Sequence, residues 1–209
     1  MTDFVFDHLV YAVPDLDLGT RYVEELLGVR SSPGGRHRGY GSRNRLIGLG
    51  PSSYLEIVSV DPSQRPSGWP RWFGLDDLHE SRLVTWCMKS DDLSGLVARA
   101  RDVGLDLGDP IVASRVRADG TELRWTFTDP ASDRAGGVVP FFIDWGLSEH
   151  PARRLSTECS VGDLRFEHPD PEPVQAGLRA LGVSAAVGRG DSPRVFATIE
   201  SPNGTAELA

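Results

Sequence analysis

HLVYAVPDLDLGTRYVEELLGV, residues 8–29, combines an apolar run, an aspartate and a helical pattern closed by glycine. Leu16, Tyr22, Val23, Leu26 and Leu27 recur at helical spacing, Asp15 is placed to cap the helix start, and Gly28 suits the left-handed position at its end. The arrangement returns twice. LVTWCMKSD (83–91) leads into Leu93, Leu96, Val97, Ala100 and Val103 and stops at Gly104-Leu105. LRFEHPD (164–170) leads into Val174, Leu178 and Leu181 and stops at Gly182-Val183. Asp15, Asp91 and Asp170 lie 76 and 79 residues apart, and Gly28, Gly104 and Gly182 lie 76 and 78 apart, so two independent rulers measure one repeat.

Strand-like runs follow each glycine, which makes the unit a βαβββ module: residues 4–61 form the first, 82–146 the second and 155–209 a truncated third. Proline- and tryptophan-rich residues 61–80 and the stretch 146–156 are the breaks between them. A sheet with a helix on one face leaves its other face to be buried. Two such modules side by side can curl their free faces around a shared hollow. The expected fold is therefore α+β, a single domain whose paired modules make an open, barrel-like cleft.

Composition narrows the function. The 209 residues carry 30 acidic against 22 basic side chains, a net charge of -8, which disfavours nucleic acid and acidic membranes as partners. No apolar run approaches the roughly 18 residues of a membrane span, and the first seven residues lack a basic signal-peptide start, so a cytoplasmic location is expected. Cys87 and Cys159 form no CxxC pair, and neither GxxxxGK[ST] nor GxGxxG occurs, so no nucleotide cofactor is expected.

Seven stretches resemble the vicinal oxygen chelate superfamily, and more closely its glyoxalase-like branch. They are DHLVYAVPDLD (7–17), GGRHRGYGSRN (34–44), YLEIV (54–58), LVTWCMKSDDL (83–93), SRVRADGTELRW (114–125), PFFIDWG (140–146) and HPDP (168–171). The resemblance implies a strand order of 1-4-3-2 in each module and a small organic ligand in the cavity between modules. It also implies a divalent metal (Zn, Ni, Mn or Fe) held by side chains from the first and fourth strands. Relatives often pair modules across a dimer, which is compatible with a homodimer here.

The residues that fall at those positions are His8 and Glu56 in the first module, an imidazole and a carboxylate suited to such ions. The second module offers Val84 or Thr85, and Phe142, which are no ligands. That is half a metal site, weakly held unless Asp144, His150 or His168 completes it; Glu167 is a further late candidate. The other reading of His8 and Glu56 is a hydrogen-bonded pair lining a polar wall. His37, with Glu56, is the candidate acid-base residue, two strand spacings from Glu56 and too far to share a metal with His8. Asn44, Arg115, Trp125, Phe127, Phe142 and Asp144 are the expected ligand-binding residues, an aromatic wall with a cation that suits an organic acid or oxygenated aromatic.

Three functions compete on this reading. The first is a metal-assisted lyase, isomerase or dioxygenase. The second is a non-catalytic protein that sequesters a small molecule. The third, resting only on SGWPRWFGL (67–75), is a protein-interaction module.

Overall fold

The computed structural model describes residues 5–37, 39–64, 71–117 and 119–209. Strand β1 (Val5–Ala12), helix α1 (Leu16–Leu27) and strands β2 (Ser32–His37), β3 (Ser42–Gly48) and β4 (Tyr54–Val60) form the first unit. The second repeats it as β5 (Arg82–Lys89), α2 (Leu93–Asp102), β6 (Ile111–Val116), β7 (Glu122–Phe127) and β8 (Phe141–Asp144). Local chemistry sets the helix ends. The Asp15 side chain accepts from Asp17 and Leu18 N–H, both at 2.9 Å, and Gly28 ends α1 at φ +71°. The cap of α2 is Asp92, one residue beyond the expected Asp91, and accepts from Gly95 N–H.

The eight strands form one sheet in the order β2-β3-β4-β1-β5-β8-β7-β6, so each unit has the order 1-4-3-2. The units join through the antiparallel β1–β5 pair. The two edges curl towards each other: Gly35 of β2 packs against Arg115 and Val116 of β6, where even a Cβ would stand 3.1 Å from the Arg115 side chain. The sheet is thus a nearly closed barrel.

Two irregularities in the β1–β5 pairing decide which side chains point inwards. An extra residue at Asp7 separates the Phe6–Met88 and His8–Cys87 pairs, and an extra residue at Val84 separates Val10–Thr85 from Tyr11–Leu83. Simple alternation would place Phe6 and His8 on one face. The bulge at Asp7 breaks that alternation: Phe6 joins the core beneath the helices, while His8 faces the barrel interior.

The last segment comprises β9 (Ser160–His168), α3 (Pro171–Leu181), β10 (Val187–Arg189), β11 (Arg194–Ser201) and β12 (Gly204–Leu208). Strand β10 has only three residues, the shortest strand of the segment. Its separate sheet has the order β10-β9-β11-β12, unlike the other two units. It packs on the outer, helix-covered side of the barrel, where Phe166 lies 4.9 Å from Trp86 in the main core. The segment thus packs across the two barrel units, and none of its described residues lines the barrel interior. No helix among the described residues is long and apolar enough to cross a membrane.

Candidate functional site

The barrel interior holds a small cavity of about 40 Å³, lined on one side by His8, His37, Asn44, Tyr54, Glu56 and Arg115. Its other walls include Trp72, Phe73, Trp125, Phe127, Phe141, Ile143 and Trp145. The polar half comes from β1 to β4 and β6, and the aromatic half from β7, β8 and the short turn at Trp72–Asp77. A dry cavity of about 150 Å³ is what holds a benzene ring. This one has room for only a few non-hydrogen atoms.

Glu56 is its focus. The Oε2 atom lies 3.8 Å from His8 Nε2, across the parallel β1–β4 pair. The Oε1 atom accepts from Asn44 Nδ2 at 2.5 Å and lies 3.8 Å from His37 Nε2. The curl of β2, β3 and β4 brings His37, Asn44 and Glu56 together, so His37 reaches the carboxylate despite its two strand spacings. Gly35 N–H donates to Asn44 Oδ1 at 2.8 Å, which turns the amide nitrogen towards Glu56 and His37. Asn44 is thus a clamp: a Cβ on Gly34 would collide with its side chain, so only glycine lets β2 come this close.

His37 is buried, and its Nδ1 pairs with Ser42 Oγ at 2.9 Å. Burial pushes its pKa down to about 4, against the attraction of Glu56, with Arg115 and His8 adding to the drop. It stands as a neutral imidazole at neutral pH. Burial likewise lowers Arg115, whose Nη1 donates to Asn44 Oδ1 at 3.4 Å, and raises Tyr54 well above the usual phenol value.

Behind His8 lies a residue that motif reading passed over. Asp7, fully buried, accepts from His8 Nδ1 at 2.5 Å, from Trp145 Nε1 at 2.9 Å and from His150 Nε2 at 3.0 Å. Burial alone would raise this carboxyl, but the hydrogen bonds from His150 and His8 outweigh it and hold it well below the usual carboxylate range. The ionised Asp7 fixes a proton on His8 Nδ1. In the neutral ring Nε2 then carries a lone pair that faces Glu56, while the ring stacks on Tyr54 at 4.5 Å. The signal available was Asp7 itself, a charged residue next to histidine inside an apolar strand.

Metal-donor geometry can be tested on these contacts. Among the described residues, three donor side chains come within 4.8 Å of one another at Asp7, His8 and Cys87. Asp7 is already taken up by three donors, and burial pushes the Cys87 thiol well up, so it stays protonated. Asp7 and His8 are paired with each other, and the Cys87 thiol donates to the Met88 carbonyl instead. His8 Nε2 and Glu56 Oε2 are different: two acceptor atoms face each other at 3.8 Å, a spacing that suits an ion or a donor group between them. A carboxylate on the far ring nitrogen is also the usual support of a ligating histidine.

Two expected ligand-binding residues are corrected. Phe142 points away from the cavity into the core beneath the helices, and Asp144 accepts from Gly146 N–H in a turn on an outer groove. The inward residues of β8 are Phe141 and Ile143. FFID is apolar at three successive positions, so the strand carries no alternation from which its inward face could be read. His150 stands behind the cavity wall, bonded to Asp7 and packed against the rings of Tyr54 and Trp145; His168 pairs with the Asp170 backbone and Glu167 with Arg165, both on the separate sheet. Of the supposed interaction stretch, residues 67–70 lie outside the described residues. Trp72 and Leu75 are buried, and Trp72 and Phe73 plug the barrel mouth.

A family model described as a glyoxalase-like domain matches residues 6–182. No curated protein matches. Among solved structures, a hypothetical protein from Staphylococcus aureus superposes with a TM-score of 0.70 at 14% identity, covering 98% of each chain. A Streptomyces coelicolor methylmalonyl-CoA epimerase gives 0.49 at 21% identity, over 70% of this chain and 98% of that one. A hypothetical protein from Bacillus halodurans gives 0.47 at 13% identity, over 71% and 99%. With the family model spanning both barrel units, the chain belongs to the glyoxalase-like domain family of the vicinal oxygen chelate superfamily.

Proposed function

We propose that the barrel cavity binds a small oxygenated organic molecule and moves a proton on it, as a lyase or isomerase does. The observation that carries this reading is the Glu56 carboxylate, oriented by Asn44 and flanked by two buried imidazoles at 3.8 Å. A carboxylate so held is placed to take a proton from carbon next to a carbonyl. Arg115, cationic on the same wall, would stabilise the oxygen on which negative charge then develops. His8 Nε2 and Glu56 Oε2 would hold a divalent ion, which supplies Lewis-acid polarisation of a substrate oxygen. The aromatic wall would limit the access of water to the reacting atoms. A cavity of about 40 Å³ supports a compact substrate over an aromatic one.

The test is deuterium uptake from heavy water into small 2-oxo and 2-hydroxy acids, followed by proton NMR with and without zinc, nickel or manganese. Wild-type protein should catalyse uptake into at least one, and Glu56→Gln should slow it by about 10²-fold or more. No uptake by the wild type, with a compound still bound, would instead support sequestration.

A further inference from the structure

A second and larger cleft, about 540 Å³, opens between the barrel and the C-terminal sheet. It is bounded by residues 80–84 at the start of β5, residues 130–137, the start of β11 and the Arg71–Gly74 turn. Its size falls in the usual range of small-molecule sites. Arg134 lines it and is itself buried, 6% exposed.

The guanidinium has five N–H groups. One on Nη1 donates to Thr85 Oγ1 at 3.1 Å and one on Nη2 to the Pro130 carbonyl at 3.2 Å. Nε is buried and finds no hydrogen-bond partner among the described residues. The acids whose field it feels, Asp129 and Asp133, form no ion pair with it among the described residues. The Oδ1 atoms of these two acids accept from the Ala131 and Ala135 N–H groups. Nor does the barrel chemistry use this charge, although the guanidinium lies 5.4 Å from the ring of Phe141, on the cavity wall. A buried cation with no directly paired anion is unfavourable unless something else supplies one.

The cleft walls carry more of the same sign. Arg82 and Arg194 also line it and join no ion pair among the described residues, whereas Arg71 is taken up by Asp76. Glu80 and Asp133 are the opposing acids, and Phe73, Leu83, Val84 and Val195 add an apolar wall.

We propose that this cleft binds the carboxylate or phosphate group of an organic anion, with Arg134 as the buried anchor and Arg82 and Arg194 at the rim. Nη1 and Nη2 each keep a second N–H, a planar pair suited to the acceptor oxygens of such a group, and the apolar wall receives its carbon stem. Phe73 lines both this cleft and the barrel cavity, so the two spaces meet at one side chain. Anion binding here does not depend on the chemistry proposed for Glu56.

Titration calorimetry of the full chain at low salt tests it, with phenyl phosphate and phenylacetate as separate probes for the two anion types. Saturable one-site binding of either probe is expected. Arg134→Gln should weaken it by about 10-fold or more, the double variant Arg82→Gln with Arg194→Gln by about 3-fold or more, and Arg101→Gln on α2 should leave it unchanged. Should Arg134→Gln fail to fold, Arg134→Lys and the rim double variant carry the test. Failure of both probes to bind the wild type, or binding that is indifferent to the anchor and rim substitutions, would overturn the proposal.

Discussion

Acidification should destabilise this protein through His37 in a way that one substitution can isolate. Its folded-state pKa of about 4 lies below the ordinary 6.5, so the folded protein refuses a proton that the unfolded chain accepts. For a group shifted down, the stabilisation is fully present above the unfolded value and drains away as pH falls towards the folded one. The window is therefore between 6.5 and about 4. At about pH 4.5 the linkage amounts to about 2–3 kcal/mol, against almost nothing at neutral pH. Urea unfolding of wild type and His37→Gln at both pH values measures it. The wild type's advantage over the variant, whatever its size at neutral pH, should shrink by about 2–3 kcal/mol on acidification. Parallel losses in the two proteins would refute the reasoning, because they would show that His37 titrates alike in both states.

Asp7→Asn leaves His8, His150 and Trp145 without their shared anion; it should cost about 3–5 kcal/mol in urea unfolding. Where the variant remains folded, it should slow deuterium uptake by about 10–100-fold through the misplaced His8 proton. Trp72→Ala should cost about 3–5 kcal/mol and open the barrel mouth, so that compounds too large for the native cavity bind in calorimetry. Dialysis against zinc, nickel or manganese followed by elemental analysis should show less than one ion per chain, lost in His8→Ala; a ratio near one would reveal a third ligand.

The repeat was legible because its marks are local. Asp15 and Gly28 cap and stop a helix by bonding within their own turn, and two glycines, Gly104 and Gly182, repeat the stop at nearly constant spacing, so counting residues was enough. His8 and Glu56 could be paired through the family resemblance, which implies that the first and fourth strands of a unit are neighbours, as β1 and β4 are. What faced the cavity elsewhere was a tertiary decision. An apolar four-residue strand such as β8 carries no alternation, so only its packing between β5 and β7 turned Phe141 inwards and Phe142 outwards. Bulges at Asp7 and Val84 arise from the mismatch between two twisted strands, which no single strand records. The same holds for the partners of Asp7 and for the cleft at Arg134. They join residues more than a hundred positions apart, as in Asp7 with His150, or loops that meet only once the C-terminal sheet has docked on the barrel. A chain's local chemistry sets where its elements begin and end; the curvature of the closed sheet decides which side chains meet inside it.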